Sequence, residues 1–241
     1  MGRLLAEEAE AAGHAVTGLV RPGATAPAYP TAADVATLAA TSDAVIDFTV
    51  ASTVQMHAKT LAAGQTAWVL GTSGLSAADE QAVAAAAVHI PVVYSANFSP
   101  GVTLLLELAT RMAAALPGDV YDAEIVEMHH RQKVDAPSGT AIAIGRAVAQ
   151  GRGIDLATNT ESGRDGHTGA RRPGAIGFAA LRGGQVVGEH TLLFAGTSEH
   201  VALTHRALDR RVFATGAIRA AAWAAGRKPG LYSMADVILI A

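Results

Sequence analysis

The stretch Thr66-Ala67-Trp68-Val69-Leu70-Gly71-Thr72-Ser73-Gly74 decides the fold. Its first half is a continuous apolar run, the mark of a strand buried on both faces, and its Gly-Thr-Ser-Gly half predicts a turn. Ser76 and Asp79 follow at capping-box spacing, so a helix reaching His89 comes next. The alternation of short apolar strand and helix extends both ways. Upstream, Ala44-Val45-Ile46-Asp47-Phe48 reads as a strand and Ser52 to Ala63 as a helix closed by Gly64. Downstream, Pro91 to Ser95 reads as a strand running into Ala96-Asn97-Phe98-Ser99-Pro100. This pattern calls for a parallel sheet covered by helices on both faces, a doubly wound, Rossmann-like α/β domain.

Open sheets of this kind bind ligands beyond the carboxyl ends of their strands. The segments expected there are Arg21, at the end of a predicted strand from Ala15 to Val20, then Asp47-Phe48-Thr49, Gly71-Thr72-Ser73 and Ser95-Ala96-Asn97-Phe98. An amphipathic helix from Gly2 to Ala12 and a short one from about Thr31 complete this half. A dinucleotide fold ordinarily opens on a strand and a Gly-rich turn. Here the chain starts within the first helix, with Gly2 where the last glycine of that turn falls and Arg21 near the ~20-residue spacing of the ribose-recognition position. The expectation is a truncated or misplaced start, with the first strand and its turn missing.

After Pro100 the character changes. A long apolar helix from Gly101 to Leu116 ends at Pro117-Gly118, and Asp122 to Met128 alternates as a strand does. Ala141 to Ala149 has helical spacing, and Gly151 to Pro173 reads as a long polar loop. Phe178 to Arg182 and Gln185 to Ala195 read as a hairpin joined at Gly183-Gly184, with Glu199 to Leu208 as a further strand. This region is expected to be an α+β domain with a mostly antiparallel sheet. The predicted boundaries are 1–100 for a nucleotide-binding domain, to which 211–241 returns, and 101–210 for a substrate-binding and oligomerisation domain.

Composition excludes several classes. With 241 residues, 50% hydrophobic and 16% charged, the chain is globular, and a formal net charge of -3 offers nothing to nucleic acid. It has no cysteine, which removes disulfides and thiolate chemistry together. Glu7, Glu8 and Glu10 make the start too acidic for a signal peptide, and the apolar run from Ala217 to Ala225 is interrupted by Arg219 and too short to span a membrane. A soluble, cytoplasmic protein is expected. No His-x-x-x-His helix or other ligand set points to a metal.

Chemistry concentrates in Glu127-Met128-His129-His130-Arg131-Gln132-Lys133-Val134-Asp135-Ala136-Pro137-Ser138-Gly139-Thr140-Ala141. The strand before it and the helix after it place His129, His130 and Lys133 on a loop facing a helix N-terminus. Backbone N–H groups at Gly139 and Thr140 would favour an anion there, a small carboxylate or a phosphate. Crowded cations disfavour an ammonium's charged form and make it a readier proton donor; Lys133, with His129, His130 and Arg131 close in sequence, fits that description. Arg131 and Asp135 could brace the loop as an ion pair. His167, His190, His200 and His205 read as structural, and Asp47 as an interior hydrogen-bonding residue.

The His-His-Arg-x-Lys-x-Asp-Ala-Pro-Ser-Gly-Thr-Ala pattern resembles that of the dihydrodipicolinate reductase family, the 4-hydroxy-tetrahydrodipicolinate reductases of lysine and diaminopimelate biosynthesis. Asp47-Phe48-Thr49, Gly71-Thr72-Ser73-Gly74, Ala96-Asn97-Phe98-Ser99 and Gly230-Leu231-Tyr232-Ser233-Met234 match in family order and extend the resemblance along nearly the whole chain. It implies an oxidoreductase that reduces a cyclic amino dicarboxylate with NADH or NADPH, and a homotetramer assembled through the second domain's sheet. It further implies His129 as acid/base residue, Lys133 as proton donor, His130 as a substrate contact, and Gly139 with Thr140 holding a carboxylate. Phe48, Thr49, Gly71, Thr72, Ser73, Ser95, Ala96, Asn97 and Phe98 would line the cofactor cleft. Val20 stands where the family often has an acidic residue, which leaves Arg21 to meet a 2′-phosphate and points toward NADPH.

Two other readings share these residues. A truncated nucleotide domain would leave a catalytically impaired homologue that only binds or assembles. A related two-domain amino-acid dehydrogenase would keep the fold, but gives no reason for His-His-Arg-x-Lys.

Overall fold

The structure is a computed structural model that describes residues 1–20 and 28–239. Arg21, the expected phosphate contact, lies outside the described residues. In chain order the elements are α1 (Gly2–Ala11), α2 (Val35–Ala40), β1 (Ala44–Asp47), α3 (Val54–Ala63), β2 (Ala67–Leu70), α4 (Ala77–Ala87), β3 (Pro91–Tyr94), α5 (Pro100–Ala115) and β4 (Asp122–His129). There follow α6 (Gly139–Arg152), α7 (Leu156–Asn159), β5 (Thr160–Ser162), β6 (Ile176–Arg182), β7 (Gly188–Ala195), β8 (His200–Ala207), α8 (Arg211–Ala224), β9 (Gly230–Tyr232) and α9 (Met234–Leu239). They form two compact units, Met1–Pro100 with Arg211–Ala241, and Gly101–Arg210.

The first unit holds a four-stranded parallel sheet in the order β1-β2-β3-β9. Its apolar strands are explained by two cores. Trp68, Leu70 and Val92 pack with Val54, Leu61 and Val83 on one face. Val69 and Val93, pointing the other way, pack with Leu5, Ala217 and Ala220. Every side chain of β2 is buried, which accounts for the absence of polar residues along it. Ser76 caps α4 with the full reciprocal box, its hydroxyl accepting from the Asp79 N–H while Asp79 accepts from the Ser76 N–H.

The predicted strand from Ala15 to Val20 is not one. Among the described residues only Gly18 pairs there, through an isolated bridge to Thr31. Between this segment and β1 runs a trench of about 640 Å³ lined by Val16, Thr17, Gly18, Ala44, Val45 and Ile46, floored by Leu5 and Ile218. Among the described residues Gly18 bonds only to the Pro30 carbonyl and the Ala32 N–H, both at 2.9 Å, and the trench separates the segment from β1, so no ladder forms.

The second unit packs α5 and α6 on one face of a five-stranded sheet ordered β5-β6-β4-β7-β8. Parallel pairs join β5, β6 and β4, and antiparallel pairs join β4, β7 and β8. The predicted hairpin is overturned: β6 and β7 do not pair, because β4 lies between them. The Gly183-Gly184 segment crosses the end of β4, where the Gly183 N–H donates to the His129 carbonyl at 2.9 Å and the His130 N–H to the Val186 carbonyl at 2.8 Å. The predicted loop from Gly151 to Pro173 also holds more structure than expected. α6 runs on to Arg152 and ends on Gly153 in the left-handed region, and α7 and β5 follow.

Candidate active site

The loop joining β4 to α6 carries the chemistry of the second unit, and strand parity explains how. Along β4, Ala123, Ile125, Glu127 and His129 face the helices, while Glu124, Val126 and Met128 face the other way. The inward row is apolar until Glu127, which is only 1% exposed. Register then sets Ala180, Glu127, His190 and His205 side by side across β6, β4, β7 and β8, and Arg182 opposite His129.

Glu127 joins these parts. Its Oε2 accepts from His129 Nδ1 at 2.6 Å and from the Arg182 guanidinium at 2.8 Å. Its Oε1 accepts from Arg182 at 2.9 Å and from the Ser138 N–H at 3.1 Å. Burial alone would raise this carboxyl's pKa, but the bonds from Arg182, His129 and Ser138 outweigh burial and hold it below the usual range. An ionised carboxylate only accepts hydrogen bonds, so His129 carries its proton on Nδ1. Arg182 also donates to the Asp135 carbonyl at 2.6 Å, tying the loop to the end of β6.

His190 stands edge-on to His129, ring centroids 5.1 Å apart. Its Nε2 shares a 3.1 Å hydrogen bond with the Ser138 hydroxyl, and that same oxygen caps α6 by accepting from the Ala141 N–H at 3.2 Å. Burial, with His129, His205 and Lys133 reinforcing it and Glu127 opposing, lowers the His190 pKa to about 4. His190 is therefore a neutral wall against His129. Sequence reasoning set it among the scattered histidines and gave Glu127 and Arg182 no role. The parity of Glu127 with His129 was readable two residues apart, whereas Arg182 and His190 reach them only through sheet register.

Lys133 differs from its sequence expectation. Its nearest charge is an anion, Asp135, whose carboxylate accepts from Nζ at 2.8 Å. Asp135 thus serves Lys133 rather than Arg131. His130 is half-buried with its Nδ1 lacking a hydrogen-bond partner. Gly139 is exposed in the first turn of α6, with open space where a Cβ would stand, next to the half-buried Thr140. The helix N-terminus supplies partial positive charge beside them.

In the first unit, the turns after β1, β2 and β3 lie at the carboxyl ends of adjacent parallel strands. Thr49, Ser73 and Ala96 are exposed there, and Phe48, Gly71, Ser95 and Asn97 are half-buried. Phe98 is 1% exposed and stacks 5.3 Å from Phe48, and Thr72 is buried, so these two support the edge from beneath. A side chain at Gly71 would run into the Phe48 ring. Asp47 sets the first turn: it accepts from the Thr49 N–H at 3.0 Å, the Thr49 hydroxyl at 2.6 Å and His57 Nδ1 at 2.7 Å. Burial raises the Asp47 pKa, and the bonds from His57 and Thr49 more than reverse it. An edge of open backbone, small residues and one ring across a glycine fits a nicotinamide dinucleotide.

Comparison with known proteins covers both units. The family model described as "Dihydrodipicolinate reductase, N-terminus" matches residues 1–98, and "Dihydrodipicolinate reductase, C-terminus" matches residues 101–238. The 4-hydroxy-tetrahydrodipicolinate reductase of Granulibacter bethesdensis is 66% identical over 241 residues, 99% of this chain and 92% of the relative. That of Gluconacetobacter diazotrophicus is 61% identical over 238 residues, 99% of this chain and 93% of the relative. Among solved structures, a dipicolinate-bound dihydrodipicolinate reductase from Paenisporosarcina sp. TG-14 has the same fold, with a TM-score of 0.79 at 23% identity over 98% of this chain and 94% of that one.

Proposed function

The chain belongs to the dihydrodipicolinate reductase family, and from that premise we propose how its residues divide the reaction. It is an oxidoreductase of lysine and diaminopimelate biosynthesis that uses a nicotinamide cofactor to reduce 4-hydroxy-tetrahydrodipicolinate to tetrahydrodipicolinate with loss of water. Neither a binding-only homologue nor an amino-acid dehydrogenase is favoured by relatives of this identity.

The balance is one substrate, one NAD(P)H and one proton in, and tetrahydrodipicolinate, NAD(P)⁺ and water out. The bound cofactor supplies the hydride. The unit built from residues 1–100 and 211–241 binds it, with Phe48, Thr49, Gly71, Ser73, Ser95, Ala96 and Asn97 along the cleft and Thr72 and Phe98 shaping it. Arg21 favours NADPH in this reading. The unit from 101 to 210 binds the cyclic dicarboxylate. Gly139 and Thr140 hold one carboxylate at the α6 N-terminus, His130 contacts the ring substituents, Lys133 donates the proton and His129 acts as acid/base residue.

The observation that carries this assignment is the single loop from His129 to Thr140, which joins a carboxylate-held imidazole, an ammonium and a helix N-terminus. We also read the protein as a cytoplasmic homotetramer. The sheet face opposite α5 and α6 exposes Val126 and Leu181, apolar groups suited to a second copy. Among the described residues no helix is long and apolar enough to cross a membrane.

The test is oxidation of NADPH and of NADH with freshly generated substrate by the chain, by Lys133→Ala and by Arg21→Ala. Turnover lost in the first variant, and a raised NADPH KM with unchanged NADH KM in the second, are the expected results. Unchanged turnover in Lys133→Ala removes the proton-donor role, and equal KM changes for both cofactors remove the phosphate contact.

A further inference from the structure

We infer that Glu127 is the positioning residue of this site, a single buried carboxylate that fixes both the tautomer of His129 and the place of the α6 N-terminus. The inference rests on the roles proposed above for His129, Gly139 and Thr140, and adds the group that makes them one device.

Four hydrogen bonds converge on this carboxylate, from three separate parts of the chain. Each has a different consequence. The bond to His129 Nδ1 leaves Nε2 as the nitrogen able to exchange a proton with a ligand, since the hydrogen bond made by one ring nitrogen decides the state of the other. The bond from the Ser138 N–H anchors the N-cap residue of α6, and so the exposed amide edge at Gly139. The paired bonds from Arg182 keep the carboxylate charged in a place where burial would otherwise neutralise it.

The surroundings of Nε2 point the same way. A Cβ at Gly188 would sit 3.0 Å from His129 Nε2, so the absence of a side chain on β7 leaves that nitrogen uncrowded. His190, on the next inward position of β7, walls the ring from the side, its own Nε2 engaged by the Ser138 hydroxyl. The ring is thus held on three sides: Glu127 at Nδ1, His190 against its face, and β7 backbone beneath Nε2.

The experiment is to compare the chain with Glu127→Gln, Glu127→Asp and His129→Asn. Nitrogen-15 NMR of the histidine rings reads the tautomer without any turnover. In the parent, His129 is expected as the Nδ1–H form with a downfield ring proton; in Glu127→Gln a mixture with the Nε2–H form replaces it. Kinetically, Glu127→Gln is expected to lower kcat about 100-fold, the scale of a misplaced catalytic group, and to raise the substrate KM as the α6 N-terminus loses its anchor. Glu127→Asp should restore part of kcat, because it returns the charge at a shorter reach. The inference is overturned if His129 keeps its Nδ1–H tautomer in Glu127→Gln, or if kcat and KM are unchanged in a folded variant. Should Glu127→Gln fail to fold, Glu127→Asp decides the matter through kinetics: kcat and KM both at the parent's values despite the shorter reach overturn the inference. Full activity of His129→Asn would instead remove the acid/base reading of His129, a separate failure that leaves the ring measurement valid.

Discussion

Lowering the pH from 7 to 5 should destabilise the second unit through His190, and the size of the effect follows from its surroundings. The ring is 4% exposed, so solvent screening gives little relief. Its pKa falls from 6.5 to about 4 in the folded chain because of burial first and the neighbouring His129 imidazole second, with His205 and Lys133 adding and Glu127 subtracting. The sign is that of a histidine kept neutral by folding. The unfolded chain takes up a proton near 6.5, whereas the folded chain resists until about 4. The stabilisation is therefore complete above the unfolded value and is lost as the pH drops from 6.5 toward 4. At about 1.4 kcal/mol per pKa unit the limit is about 3 kcal/mol, of which about 2 kcal/mol is lost between pH 7 and 5.

The assay is urea unfolding followed by far-ultraviolet circular dichroism at several pH values, for the parent and for His190→Gln. The Gln amide can reach the Ser138 hydroxyl but does not titrate. The quantity compared is the change in unfolding free energy with pH, which removes any constant penalty of the substitution. Carboxylates such as Glu127, whose pKa is lowered on folding, titrate alike in both chains and cancel. The parent should lose about 2 kcal/mol more than His190→Gln over this interval. Parallel curves would refute the reasoning and mean that His190 is hydrated or that a water satisfies its Nδ1.

Three further outcomes are expected. Asp135→Asn should leave stability nearly unchanged, since Asp135 is exposed, and lower the substrate KM by up to about fivefold by releasing the Lys133 ammonium from its partner; a higher KM would show that Lys133 does not face substrate. Gly188→Ala should place a methyl group 3.0 Å from His129 Nε2 and lower kcat about tenfold with an unaltered melting temperature, read by steady-state kinetics beside a thermal melt. Gly216→Ala drives a Cβ into the Phe98 carbonyl and should cost about 1–3 kcal/mol of stability, with nicotinamide cofactor affinity falling as the Phe98 turn shifts; a neutral thermal melt would contradict that packing.

The fold was legible where a strand advertises its own surroundings. Trp68 and Val69 point to opposite cores, so the lack of polar alternation in β2 already implied helices on both faces. Ser76 and Asp79 announced their helix from four residues of sequence. What local pattern cannot reveal is which strands become neighbours. Gly183-Gly184 carries good turn chemistry, yet β4 separates the flanking strands, because parallel pairing with β6 and antiparallel pairing with β7 bury Ile125 and Leu192 together. The site divided along the same line. His129, Lys133 and the α6 N-terminus lie on one loop and could be read directly, while Arg182 and His190 meet Glu127 from 55 and 63 positions further along the chain.

The division of the first unit into two stretches of chain bears on the order in which the protein can be made. On a ribosome, residues 101–210 emerge as an uninterrupted block with the helices α5, α6 and α7 and all five strands of their sheet, so their core has its own parts together. The earlier unit must wait. Ala214, Ala217, Ala220 and Ala224 of α8 cover the face that carries Val69 and Val93, Arg211 clasps Glu7 and Glu8 on α1, and β9 supplies the last strand. Until those residues have left the exit tunnel, only α1 is at hand to cover that apolar face. The middle block of the nascent chain is therefore expected to fold before the stretch that precedes it, the reverse of simple vectorial order, with a window in which chaperones or a neighbouring nascent chain can engage the incompletely covered sheet. Protease resistance appearing in residues 1–100 of chains arrested at Arg210 would show that the window does not exist.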